Sequence, residues 1–203
     1  MSITNYTELQ TAVGVWLHRT DLAAMIPDFI MLAEQRMNGD LDARSMELTV
    51  ALACVASTRT VALPADMLEM RRLLLTDADP VQVLEYKSPD QMIEDNPYLS
   101  ATARPLNFTI VGPNAELSPT PDKAYPMELV YQQRIPPLSG SNTTNWLLQQ
   151  NPSVYLFGAL LAASPFTQDD ARMPVYERKY QEGVETINGI DWYSGSTMRV
   201  RAR

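Results

Sequence analysis

The sequence is poor in the residues from which catalytic centres are usually built. Among 203 residues there is one cysteine, Cys54, one histidine, His18, and only eight glycines. One cysteine excludes an intrachain disulfide, and with one histidine it excludes the Cys-x-x-Cys and His-Glu-x-x-His spacings of common zinc sites. There is no G-x-x-x-x-G-K-S/T and no G-x-G-x-x-G, so a glycine cradle for phosphate is missing too. Positive charge is scarce. Sixteen Lys+Arg against 24 Asp+Glu leave a formal charge of -8, which does not suit a protein that must grip a phosphate backbone. Like charge repels, so this balance fits a surface past which nucleic acid slides, and it fits plain solubility equally well. Long apolar runs are also lacking: Val154 to Phe166 is broken by Gly158, Ser164 and Pro165, well short of the roughly 20 residues of a membrane helix. The opening MSITNYTELQ has neither a basic nor an apolar leader segment, and the expectation is a soluble protein used without export.

What is present divides into three zones. From 4 to 40 the spacing predicts two helices. Thr4 stands as N-cap ahead of Leu9, Val13, Trp16 and Leu17, and Pro27 opens a second stripe of Phe29, Ile30, Ala33 and Met37 that ends at Asn38-Gly39. From 44 to 140 the pattern turns β-rich. Thr58 to Leu63 alternates until Pro64, Met67 to Leu75 reads as a turn leading into a strand, and Phe108 to Val111 with Glu116-Leu117 flank a Gly112-Pro113-Asn114 turn. Met127 to Tyr131 alternates most cleanly, and Ser88 with Gln91 three positions on marks a short capped helix. The third zone is helical again. Asn151-Pro152 starts a segment apolar nearly all round (Val154, Tyr155, Leu156, Phe157, Leu160, Leu161), which belongs at the centre of a bundle or at an interface and ends at Pro165. Asp169-Asp170 then opens a last helix with Tyr176, Tyr180, Val184 and Ile187 on its apolar face.

The expected fold is therefore α+β: N- and C-terminal helices in a bundle, a central β-rich insertion of short strands and hairpins, and an extended C-terminal tail. Residues 1–188 form one domain, helical at 4–40 and 151–188 and β-rich at 44–140, with 189–203 as the tail.

Claims to chemistry are few. His18 sits at a helix end, where a lone histidine caps or is solvated. Cys54, in the run Ala51 to Val55, reads as a small buried hydrophobe. The acidic pairs Asp40/Asp42, Asp77/Asp79, Glu94/Asp95 and Asp169/Asp170 have the composition of a glycosidase or two-metal site. Each lies beside a turn or helix start, where acids serve the backbone. No catalytic, metal-binding or cofactor-binding residue is assigned, and no cofactor. Met67, Met70 and Met92 suit either an adaptable contact surface or plain core filling. The terminal Met198-Arg199-Val200-Arg201-Ala202-Arg203 alternates cation with apolar residue, as does an extended segment that adds to a partner's sheet or acidic groove; a solvated terminus is the alternative.

The order of short blocks carries more. Tyr6-Thr7-Glu8-Leu9-Gln10, Trp16-Leu17, Arg19 to Leu22, Ile26 to Ile30 and Leu32 to Arg36 open the series. Leu63-Pro64-Ala65-Asp66-Met67-Leu68-Glu69 and Leu117 to Pro121 with Glu128 to Tyr131 follow. Then come Pro137-Leu138-Ser139, Ser141-Asn142, Thr144 to Leu148, Pro152, Tyr155-Leu156, Gly158 to Leu160 and Pro165-Phe166. Together, over about residues 5 to 187, they resemble the phage adaptor proteins, head-to-tail connector subunits of tailed and especially short-tailed bacteriophages. The resemblance implies a structural virion protein without catalysis. Copies, commonly twelve, would ring the channel beneath the portal and provide the platform for tail or nozzle proteins, with genomic DNA passing through unbound and no membrane involved. It also implies a portal-docking role for Met198, Arg199, Val200, Arg201 and Arg203, because the 15 residues after Asn188 reach up to roughly 50 Å when extended. The open alternatives are a carboxylate-based tail hydrolase and another non-catalytic protein-binding module.

Overall fold

The computed structural model describes residues 3–19, 21–78, 80–98, 101–167 and 171–190. It is an α+β structure of two compact units, one comprising residues 1–45 with 135–203, the other 46–134. The first is helical. Helices α1 (Tyr6–Leu17) and α2 (Ile26–Asp40) come from the N-terminal part, and α4 (Trp146–Gln150), α5 (Pro152–Thr167) and α6 (Met173–Ile190) from the C-terminal part. α5 is central, packing against α1, α2, α4 and α6. That position follows from its composition: Val154, Tyr155, Leu160 and Ala163 are fully buried on different sides of the helix, so no single face could be left to solvent. Glycines permit the close approach. A Cβ on Gly183 of α6 would stand 2.6 Å from Val154 Cγ2, and one on Gly158 would stand 2.8 Å from Met37 Cε.

The second unit is two four-stranded sheets around one core. The first sheet runs in the order β1 (Glu47–Ala53), β10 (Pro126–Gln133), β3 (Met67–Leu75) and β4 (Gln82–Val83), all antiparallel. The second runs β2 (Thr60–Ala62), β8 (Asn114–Ser118), β7 (Asn107–Val111) and β5 (Glu85–Tyr86), with β5 parallel to β7. Two more strands, β6 (Thr102–Ala103) and β9 (Thr120–Pro121), pair separately, and α3 (Pro89–Asp95) follows β5. Residues 82–86 thus leave one sheet and enter the other. Between the sheets lie Leu73, Leu75, Phe108, Leu117, Met127, Leu129 and Tyr131.

Several local expectations shift by a residue or more. Asn5, not Thr4, caps α1, its side chain accepting from the Glu8 N–H at 2.9 Å; Thr4 instead bonds the Glu8 carboxylate. α2 runs through Asn38-Gly39 to Asp40, with Leu41 as C-cap. α5 continues past Pro165 to Thr167, since the ring removes one ladder bond near a helix end where few remain to lose. α6 reaches Ile190, two residues into the stretch expected to be extended. Met67 to Leu75 is strand throughout, and the 112–114 turn closes in two residues, with Gly112 at φ +58° and Asn114 already paired to Val111. The capping box at Ser88 and Gln91 is present as read. Strand β1 and helix α4 were not foreseen.

Candidate functional site

The residues singled out for chemistry do not converge. His18 is the C-cap of α1, in the left-handed region at φ 51°, its N–H bonded to the Val15 carbonyl. Asp77 is held by both terminal guanidinium nitrogens of Arg104, at 2.7 and 3.2 Å. Asp95 pairs with Lys87. Asp40 accepts from Tyr180 Oη at 2.9 Å and from Arg36 at 3.2 Å, while the Asp42 N–H bonds Asn188. Asp79, Asp169 and Asp170 lie outside the described residues, as do Met198, Arg199, Val200, Arg201 and Arg203. Among the described residues no three His, Cys, Asp or Glu side chains are placed to hold a metal ion. Cys54 is buried, its Sγ accepting from the Tyr125 N–H at 3.3 Å. Met92 is buried, and Met67 and Met70 pack against the core of the second unit.

One buried polar cluster escaped the sequence reading. Glu34, on the inner face of α2 with only 6% of its surface exposed, accepts from the Leu138 N–H at 2.8 Å and from Tyr155 Oη at 3.1 Å. Asn145 donates to Tyr155 Oη at 2.6 Å and to the Pro136 carbonyl, and its own side-chain oxygen caps α4 through the Leu148 N–H. One turn along α2, Asn38 accepts from the Ile135 N–H. These bonds strap the irregular segment 135–145 onto α2 and α5. Burial, with no cation beside it among the described residues, pushes the Glu34 carboxyl up from its ordinary value, and pushes the Tyr155 hydroxyl up as well. A polar residue in an apolar stripe was the available signal, since Glu34 follows Ala33 at a position whose i−4 and i+3 neighbours, Ile30 and Met37, are apolar.

Where the molecule does offer something outward is in apolar surface and strand edges. In the helical unit a groove of about 510 Å³ is lined by Val15, Trp16, His18, Arg172, Val175 and Tyr176. Its wall is an aromatic stack, Trp16 edge-on to Phe157 at 5.8 Å and Phe157 against Tyr176 at 6.3 Å. In the β unit a second groove, of about 680 Å³, opens between β3 and β7 over Met70, Tyr86, Phe108 and Ile110. It exists because β4 pairs with β3 only at Leu74 and Leu75, and β5 with β7 only at Asn107 and Phe108. Strand β1 is the opposite margin of its sheet. Open strand margins and exposed aromatics are what proteins use to hold other proteins.

One family model, described as SU10 adaptor protein, matches residues 4–201. The chain belongs to that family. It is a phage head-to-tail adaptor family, so this protein is a structural component of a virion. No curated protein matches the sequence. An adaptor family implies binding to other proteins, which directs attention to the exposed surfaces and strand margins described above. Among the described residues no helix is long and apolar enough to cross a membrane.

Proposed function

We propose that this adaptor assembles as a ring of twelve copies beneath the portal, extends the DNA channel there and presents the platform on which tail or nozzle proteins attach. The family match across residues 4–201 carries the reading. Physical observations support it. The helical unit exposes Val15, Trp16, Met31, Leu32, Phe166 and Val175, each at more than 40%, a burden that lateral contacts between copies would relieve. A formal charge of -8 per chain gives a channel wall that repels DNA instead of trapping it. In this reading the C-terminal segment 191–203, beyond the end of α6, is an arm that docks on a neighbouring protein, with Met198, Arg199, Val200, Arg201 and Arg203 as its contact residues.

Native mass spectrometry of the protein mixed with the portal ring of the same phage tests the proposal. The expected result is a complex with one adaptor per portal subunit. A portal mass left unchanged by folded adaptor overturns it.

A further inference from the structure

Strand β1 is an open edge with two chemically distinct faces. Its ladder with β10 runs from Glu47↔Gln132 to Ala53↔Pro126, and the Cys54 N–H continues it to the Tyr125 carbonyl. Because antiparallel bonding alternates, Leu48, Val50 and Leu52 share that hydrogen-bonded set with Cys54, while Glu47, Thr49, Ala51 and Ala53 turn their N–H and C=O groups away from the sheet. Among the described residues nothing pairs with them. The edge carries one charge, at its first residue, and no Lys, Pro or bulge, the devices that normally blunt such a margin.

The inner face of the edge is apolar and half-covered. Leu48, Val50 and Leu52 stand opposite the buried Tyr131, Leu129 and Met127, yet Leu48 is 38% exposed and the other two are only partly buried. The outer face is acidic at two places. Glu47 lies at one end, 4.0 Å from Arg71. Glu128 lies beside Ala51 at the other and has no cationic partner among the described residues. An added strand must therefore alternate apolar residues inward with cations outward, the cations four residues apart.

We infer that the edge of β1 receives residues 198–203 of a neighbouring copy in the ring. Laid antiparallel with Met198 beside Leu52 and Arg203 beside Glu47, the segment sets Met198, Val200 and Ala202 against Leu52, Val50 and Leu48, extending the core by one row. Arg203 meets Glu47, and Arg199 reaches over the small Ala51 to Glu128, about 10 Å away across two strand spacings. The thirteen residues after Ile190 span up to about 45 Å, and a head-to-tail exchange of this kind closes in a ring with every edge covered. The inference rests on the ring reading and names the arm's partner.

Hydrogen exchange on the full-length protein assembled with the portal ring tests it. The Thr49 and Ala51 amides are expected to exchange at least about tenfold more slowly than in a chain ending at Ile190. Ala51→Pro, which removes an outward N–H and no bond to β10, should lose the protection at Thr49 while the unfolding midpoint stays within a few degrees. Two singly substituted chains, Thr49→Cys and Arg201→Cys, mixed and oxidised, should yield a cross-linked dimer. A ring of the expected mass with Thr49 and Ala51 still in fast exchange overturns the arm's placement and leaves the ring standing, as does a cross-link that forms only within one doubly substituted chain. Absence of the ring overturns both.

Discussion

Glu34 shows at the residue scale how a bundle fixes an irregular segment. Its carboxylate supplies the acceptor for the Leu138 N–H and the Tyr155 hydroxyl, and the cost is a charge held away from water with no cation beside it among the described residues. The linkage has a definite sign. A carboxyl whose folded pKa lies above its unfolded value favours the native state at low pH, and loses that contribution as pH rises through the folded pKa. Native protein should therefore gain stability relative to Glu34→Gln as pH falls from 7 toward 4, whatever the other carboxylates do in both. Thermal unfolding of the pair across that range checks it, and a constant difference would show that the carboxylate is not desolvated. Glu34→Ala should cost about 2–4 kcal/mol near pH 4 in the same assay and less near pH 7, because it leaves a cavity and two buried donors without an acceptor while removing the same titrating group.

Packing of α5 at the scale of elements depends on two glycines that differ in what they face. A Cβ on Gly183 would meet the rigid, β-branched Val154 at 2.6 Å, whereas one on Gly158 would meet the end of the flexible Met37 side chain and, less tightly, the Ala33 Cβ at 3.3 Å. An alanine gains about 1 kcal/mol of helix propensity at either place. At Gly183 that gain is outweighed by an overpacking cost of about 1–3 kcal/mol, since Val154 has no rotamer to retreat into. Gly183→Ala is therefore expected to lower the urea midpoint, and Gly158→Ala to lower it less, since Met37 can shift and only the Ala33 contact remains tight. Equal losses would mean that Met37 is as constrained as Val154. Strands β3 and β7 make a related point for the second unit. Each outruns its neighbour, β4 or β5, so a groove follows directly from unequal strand lengths.

The decisive property of the whole molecule is its charge. A ring of chains at -8 each should show no measurable affinity for duplex DNA at 0.15 M ionic strength in a fluorescence anisotropy titration, for want of clustered cations to release counterions. Tight, strongly salt-dependent binding would contradict a sliding channel and favour a nucleic-acid-binding module. The carboxylate-hydrolase alternative makes its own demand at this scale, two acids converging on one pocket. Of the described pairs, Asp77 is engaged by Arg104, Asp40 by Tyr180 and Arg36, and Asp95 by Lys87.

Much of this protein was legible in its sequence. The all-round apolar run of α5 belonged in a bundle centre or an interface and lies in the bundle, the alternation at Met127 to Tyr131 read as a half-buried strand and is one, and Ser88 with Gln91 capped α3 as local chemistry requires. The α+β class and the family followed from such blocks in order. Tertiary structure decided the rest. Strand β1 was hidden because Leu48, Val50 and Leu52 look inward only once β10 lies beside them, 75 or more residues further on. Glu34 read as one polar residue in a helical stripe until Leu138 and Tyr155, more than a hundred residues away, turned their hydrogens toward it. Local pattern specifies an element; which side of it stays open, and which buried group gains a partner, is set by contacts distant in the chain.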